Sequence, residues 1–435
     1  MSQVWIALIV FLATYAVIIS EKKNRAVVAL LGAAIMVISG IVDVHKVYTE
    51  YIEWGTIALL VGMMILVGIT NKTGVFQYVA VRAAKLAKGD PMRILIFLSL
   101  LTATGSAMLD NVTTVLLVVP VTLSITRMLN INPVPFLISE IIASNIGGTA
   151  TLIGDPPNIM IGSANPHLTF NAFLSNLAPV TVLILIATLA MLRVIYRKQL
   201  KTSPEHKEKL MKLDEKAYIQ DPGLMKKSLI ILGLTIIGFV LHSVIHVEAA
   251  VVAITGAVLL MLFGLKEKEV EEAFDSVEWV TIFFFAGLFA LVGALQEVGI
   301  IKSLAQQVLN VTGGDVKLAA PLILWGSGIA SATIDNIPFV ATMIPLIKDM
   351  AVNMQLPADS MEINTLWWSL ALGACLGGNG TLIGASANVI VAGIAAKEGK
   401  GFSYWEFLKI GAPVTLVSLV ISQLYLYFRY MIFLP

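Results

Sequence analysis

Ser106-Ala107-Met108-Leu109-Asp110-Asn111-Val112 and Ser331-Ala332-Thr333-Ile334-Asp335-Asn336-Ile337 are two versions of one phrase, one in each half of the chain. Each lies between apolar stretches, and each has a proline nine residues after its Asn, at Pro120 and Pro345. A second pair follows: Gly147-Gly148-Thr149-Ala150-Thr151-Leu152-Ile153-Gly154 and Gly377-Gly378-Asn379-Gly380-Thr381-Leu382-Ile383-Gly384. An aspartate at membrane depth is costly and marks an ion or substrate path. An aspartate that recurs once per repeat, followed each time by a glycine-interrupted helix, is the pattern of a secondary transporter's binding site.

The bulk composition sets the frame. Of 435 residues, 57% are apolar and only 13% charged, against about 25% charged in soluble domains. Many stretches approach the ~20 apolar residues that cross a bilayer. The expectation is an all-α polytopic membrane protein with no sizeable soluble domain. A net charge of +1 implies no nucleic-acid partner. The single cysteine, Cys375, excludes an intramolecular disulfide and a cysteine-cluster metal site. The first apolar segment reads as a retained span, because its basic cluster (Lys22, Lys23, Arg25) follows it instead of preceding it.

Working outward from the repeats, spans are expected at 3–20, 26–43 and 54–71, then an amphipathic stretch at 74–89. Arms at 92–107 and 112–126 meet at Asp110-Asn111. A long segment, 134–163, is interrupted at Gly147–Gly154, and a span follows at 173–194. The second half repeats this order at 228–246, 249–264, 279–297, 299–317, arms 318–333 and 337–348, a broken segment 366–395, and 408–431. Three domains result: a first membrane repeat at 1–194, a polar cytoplasmic linker at 195–227 rich in lysine, and a second membrane repeat at 228–435. Trp54 aligns with Trp279, Gly74 with Gly299, and Gly89-Asp90 with Gly314-Asp315 at one offset.

The positive-inside rule places Lys22–Arg25, Arg82–Arg93, Arg127 and the linker in the cytoplasm. The acidic stretch 265–278 falls on the same side. Each half has five crossings, an odd number, so the second repeat is expected to be inverted and its arms to enter from outside. A 16-residue arm is about 24 Å long, short of the ~30 Å core. Each pair of arms therefore reads as a re-entrant hairpin with its tip facing protein or a water-filled cavity.

Glycine pairs and small hydroxyl residues continue a helix poorly. Gly147, Gly148, Gly377 and Gly378 are expected to unwind the broken helices near mid-membrane. Freed carbonyls and half-helix C-termini attract cations, and half-helix N-termini attract anions. The ion- or substrate-binding chamber is assigned to Asp110, Asn111, Thr113, Thr114, Ser144, Asn145, Thr149, Thr151, Asp335, Asn336, Asn379 and Thr381, with Ser331 and Thr333 nearby. In Gly154-Asp155-Pro156-Pro157-Asn158, Asp155 reads as an N-cap with Pro156 at the first helical position. Its counterpart, Gly384-Ala385-Ser386-Ala387-Asn388, keeps the Asn but lacks the acid. The two half-sites are therefore unequal. Glu140 and Glu297 lie on apolar segments where they would pair with basic neighbours. His242 and His246 fall near a membrane surface, and Cys375 reads as a small core residue.

Leu109-Asp110-Asn111-Val112-Thr113-Thr114, together with Gly147–Gly154 and Asp155-Pro156-Pro157-Asn158, resembles the arsenite permease/NhaD-type antiporter group of the ion transporter superfamily. Within it the chain looks most like the melanosomal P protein and its prokaryotic relatives. The resemblance runs from about residue 3 to 431. It implies two re-entrant hairpins, an inverted-repeat fold, a homodimer, and elevator-like movement of hairpins and broken helices against a scaffold. Related dicarboxylate–sodium symporters carry Ser-Asn-Thr at both tips. Here those places hold Asp110-Asn111-Val112 and Asp335-Asn336-Ile337.

An aspartate binds Na+ when ionised and releases it when protonated, so the leading expectation is proton-linked Na+ exchange with Na+ at Asp110 and Asp335. H+ or Na+ is the coupling ion, and no organic cofactor is called for. Alternatives are an arsenite, antimonite or other small-anion exporter, and an organic-anion (dicarboxylate) symporter. Against the latter, no Arg or Lys occurs at either tip or break. A passive channel suits the repeats less well, and no nucleotide, zinc or nucleophile motif supports an enzyme. The expected location is a prokaryotic plasma membrane.

Overall fold

Asp90 and Asp315 start the two hairpins. The Asp90 carboxylate accepts from the Arg93 N–H at 2.9 Å, with Pro91 in the first helical position. Asp315 accepts from the Lys317 N–H at 2.7 Å. These are N-caps that satisfy otherwise orphaned amides. The arms they launch are Pro91–Met108 and Asn111–Met128 in the first half, Val316–Thr333 and Asn336–Asn353 in the second. Each is 18 residues long, or about 27 Å, so the arms are slightly longer than the apolar runs suggest. Pro120, Pro321 and Pro345 lie inside them.

The computed structural model describes residues 3–20 and 22–434, and among these the secondary structure is helical, without strands. Among the described residues eight helices are long and apolar enough to cross a membrane, including three of the four arms, Pro91–Met108, Asn111–Met128 and Val316–Thr333; five shorter apolar helices accompany them. Large apolar side chains such as Ile186, Leu234, Leu262 and Phe283 stand on the outside, where a bilayer and not water is the compatible solvent. The chain is an integral, multi-pass membrane protein.

The first broken segment is Val134–Gly148 and Pro156–Ala164; the second is Met361–Gly377 and Ser386–Lys397. Each lies against the first arm of its own hairpin. The remaining long helices pair across the halves. Arg25–Ile38 packs on Trp279–Glu297, and Trp54–Lys72 packs on Ala249–Gly264. Glycines set how close they come. A Cβ on Gly62 would meet the Ala253 carbonyl carbon at 2.7 Å, and one on Gly287 the Ala29 carbonyl carbon at 2.8 Å. Close approach through small residues is how helices gain packing in lipid.

Ion pairs and hydrogen bonds sort the connections into two groups. In one group Lys72 meets Glu272 at 2.8 Å, Arg127 meets Glu398 at 2.6 Å, and Thr202 donates to the Leu129 carbonyl. The mouth of the first hairpin belongs here, with the acidic 265–278 stretch. In the other, Lys46 meets Glu297 at 2.7 Å and His167 bonds Asn364 at 3.0 Å, beside the mouth of the second hairpin.

The polar linker is ordered, not merely a solvated tether. The crossing before it runs on to Tyr196, and Pro204–Met211 forms a short helix followed by a single 3-10 turn at Glu215–Tyr218. Lys85, on the amphipathic helix Val75–Leu86, donates to the Leu213 carbonyl at 2.8 Å and to Glu215 at 2.5 Å. That contact holds the Glu215 carboxyl below its ordinary value. A lowered folded-state value means stability present above the unfolded value and lost as pH falls through the folded one. The expected result is faster hydrogen exchange at 213–220 on acidification below the usual glutamate range. Lys85→Met should remove that pH dependence.

Candidate functional site at the paired hairpin tips

Both hairpins turn within two residues, and both aspartates cap the returning arm. Asp110 accepts from the Thr113 N–H at 2.8 Å, and Asp335 from the Ile337 N–H at 3.1 Å. The tips are tied to the breaks by a repeated pair of hydroxyl staples. Ser106 donates to the Ser144 carbonyl at 2.7 Å, and Ser331 to the Ala374 carbonyl at 2.6 Å. Thr151 donates to the Ala107 carbonyl and Thr381 to the Ala332 carbonyl, both at 2.5 Å. Each staple pins a hairpin to its own broken helix.

The helices unwind at the end of each glycine pair, with Gly378 already in the break. The first helix runs through both Gly147 and Gly148, and the second through Gly377. The non-helical stretches are 149–155 and 378–385. No glycine there has positive φ. The pairs serve as points of contact: a Cβ on Gly147 would lie 2.0 Å from the Ala103 carbonyl oxygen, and one on Gly377 2.5 Å from that of Gly328.

Asparagines hold the breaks. Asn158 donates to the Thr149 and Thr151 carbonyls at 3.1 and 2.9 Å, and Asn388 to those of Gly378 and Thr381 at 2.7 and 2.9 Å. Carbonyls released by unwinding are thus re-satisfied inside the protein, as the membrane interior demands. A second set crosses the halves. Asn111 donates to Asn145 at 3.0 Å, and Asn145 to Asn379 at 2.9 Å and Asn388 at 3.0 Å. Cys375, buried, donates to Asn158 at 3.5 Å.

The two tips share a cavity of about 30 Å³. Asp110, Asn111, Asp155, Glu278, Asn336 and Arg25 line it, with Thr281 and Ser386. Asp155 occupies the N-cap position, as expected, but its side chain makes no capping bond. It faces the Asn111 amide at 3.4 Å instead. Its Oδ2 is buried without a partner among the described residues, as is Asn336 Nδ2. The repeat explains the second orphan. Asn145 and Asp155, which receive Asn111, correspond to Cys375 and Ala385, so Asn336 lacks in its own half the acceptors that Asn111 has.

A basic residue does reach the tips, contrary to the sequence expectation. Arg25 lies far away in the chain, at the start of Arg25–Ile38. Its guanidinium donates to Asp335 at 2.9 Å, to Ser386 at 2.6 Å and to Thr281 at 3.4 Å. It also lies over the Phe284 ring, 4.9 Å from the centroid, a favourable cation–π contact. The Thr281 hydroxyl in turn donates to Glu278 at 3.0 Å. A larger cavity of about 280 Å³, lined by Lys23, Arg25, Asp335 and Ser386, shares Arg25 and Ser386 with the small one.

Of the residues assigned to the chamber, Asp110, Asn111 and Asn336 line the small cavity, and Asp335 lines the larger one. Asn145 and Asn379 support the tip from behind. Thr151 and Thr381 are staples, while Thr149 and Ser144 bond carbonyls of their own helix. Thr113 supplies its amide to Asp110, and Thr114 packs beside Gly105. Arg25, Glu278 and the free carboxylate of Asp155 are the additions. Glu140 forms no ion pair among the described residues; the Thr122 hydroxyl donates to it at 2.5 Å. Glu297 pairs with Lys46, as expected. His242 accepts from the Phe170 N–H at 3.1 Å, a structural role.

A family model described as citrate transporter, CitMHS, matches residues 15–373. An uncharacterized transporter of Mycobacterium tuberculosis is 46% identical over 433 residues, covering 99% of each chain. The human P protein is 37% identical over 507 residues; the match takes in 98% of this chain and 60% of the P protein's length. The chain thus spans about three fifths of that relative, and the likeness to the P protein read from the tips and breaks is borne out. The solved structure of the Alcanivorax borkumensis YdaH transporter matches with a TM-score of 0.62 at 12% identity, over 92% of this chain and 89% of that one, which is a likeness of fold. The family, the mycobacterial relative and the solved structure are described as transporters and not enzymes, and the same holds here. The chain is a secondary transporter that belongs to the CitMHS citrate transporter family.

Proposed function

We propose that the chain exchanges a small cation, Na+, for protons, with Asp110 and Asp155 as the groups that bind one or the other. The observation that carries this reading is the buried Asp155 Oδ2 without a partner, on a cavity that Asp110 also lines. A buried, unpaired carboxylate is unfavourable unless it takes a proton or a cation. The cavity, about 30 Å³, admits two or three waters on the scale at which ~10–15 Å³ holds one. That space suits a largely dehydrated monovalent ion. On the small cavity Asp110, Asp155 and Glu278 face a single Arg25, a balance that disfavours an anion there.

The two connection groups, each with one hairpin mouth, support inverted repeats and re-entrant hairpins whose tips meet near mid-membrane. The staples make each hairpin and broken helix one unit, suited to elevator-like movement against the cross-paired scaffold of a homodimer in a bacterial plasma membrane. Membership of the arsenite permease/NhaD-type group fits the same tip motif.

A second reading has its own observation. Arg25 and Lys23 line the 280 Å³ cavity, a size and charge that suit a carboxylate substrate, and the family's description names citrate. Proteoliposomes with a luminal pH dye, under clamped voltage, separate the two. Added Na+, but not K+, is expected to drive a saturable pH change that Asp110→Asn abolishes. A pH change with citrate alone would overturn the exchange reading, as would silence with every cation.

A further inference from the structure

We infer that the transporter carries one mobile cation and that Arg25 is a built-in cation occupying the other half-site for good. This rests on the exchange reading above. The argument is from asymmetry. The tips repeat closely, yet their surroundings differ at the two positions that decide charge. On the first side, Asp110 has no cationic partner among the described residues, and Asp155 adds a second free carboxylate. On the second, Ala385 replaces that acid, and Ser386 replaces Pro156. Ser386 donates to Asp335 at 2.8 Å and receives Arg25 at 2.6 Å. Asp335 thus has its amide, its hydroxyl and its guanidinium.

The offset that pairs Trp54 with Trp279 brings Arg25 onto Ala250. No guanidinium is therefore available to the first tip from the corresponding helix. A cation arriving at Asp335 must displace one that is tethered to the same chain. A tethered group competes at an effective concentration in the millimolar range or above, and Arg25 is anchored by three side chains and stacked on Phe284. Deprotonation offers no exit, since arginine stays charged throughout the working range. Arg25 and Ser386 line both cavities. Arg25 neutralises Asp335 without leaving with the substrate, and it excludes a second ion from the path between them.

Counting sites tests this. Equilibrium binding of radioactive Na+ to the purified, full-length protein is expected to give one ion per chain, and none for the Asp110→Asn variant. Arg25→Gln frees Asp335 and should raise the count towards two, with a Hill coefficient above one in transport. Because that variant exposes an unpaired buried charge, the decisive form is the double substitution Arg25→Gln with Asp335→Asn. It removes both charges and should keep the count at one bound Na+ per chain. Two ions on the unaltered protein, or loss of the bound ion in the double variant, overturns the inference while leaving exchange intact. No bound Na+ on the unaltered protein overturns both.

Discussion

Asp155→Asn is expected to abolish Na+-coupled proton flux while leaving the protein folded and extractable. The substitution keeps the size of the side chain and its proximity to the Asn111 amide, so packing at the tip is undisturbed. What it removes is the buried charge. A unit charge 4 Å from a cation contributes about 4 kcal/mol at an effective dielectric constant of 20, which is roughly a thousandfold in affinity. The measurement is the Na+ concentration giving half-maximal flux, alongside a thermal melt in detergent. An affinity within threefold of the parent would return Asp155 to a purely local role at its helix start. Ala385, in the same place of the second repeat, shows that a break of this shape forms without an acid, which is why folding is expected to survive.

The largest structural effect is expected at Gly147. Its added Cβ would lie 2.0 Å from the Ala103 carbonyl oxygen and 2.6 Å from the Ala103 Cα. Backbone, unlike a flexible side-chain end, has no rotamer into which to retreat. Overpacking a core costs about 1–3 kcal/mol where neighbours can yield, and more is expected here. Gly147→Val should therefore lose most folded protein, read as aggregation in size-exclusion chromatography or a melt lowered by more than about 5 °C. Gly393→Ala is the control. Nothing lies within 4 Å of its added Cβ, and inside Ser386–Lys397 the change should be neutral or stabilising by up to about 1 kcal/mol. A Gly147→Val protein that melts like the parent would mean that the first arm does not press on the broken helix.

The tips and breaks were legible because repetition doubles the signal: Asp110 and Asp335 reappear at hairpin turns, and Asn158 and Asn388 at matched breaks. Roles within those motifs were less legible. A threonine beside a glycine reads equally as an ion ligand or as a donor to a passing carbonyl, and only the distance from Thr151 to Ala107 decides. Glycine is ambiguous in the same way, since its scarcity of atoms serves close contact, as at Gly147 and Gly377, as well as unwinding. Arg25 and Glu278 were invisible to motif reading. They belong to helices far along the chain from the tips they reach, and Arg25 stands in a basic cluster that suits a cytoplasmic flank. The signal that could have found Arg25 is its location at a helix start of only 14 residues, too short to keep its charge in the headgroups.

The cross-paired scaffold bears on how the protein is made. Arg25–Ile38 emerges early, but the helix it packs against, Trp279–Glu297, is synthesised roughly 250 residues later. At about 5–20 residues per second that is a delay of some 12–50 s. For that time the surface of Arg25–Ile38 that will receive Gly287 faces lipid or the insertion machinery, and the Arg25 charge has no Asp335. Biogenesis thus ends with the second half closing onto a waiting first half. A nascent chain stalled before residue 279 should be cut by added protease at the basic connection Lys22–Arg25 between its first two helices, and release of the full chain should protect it.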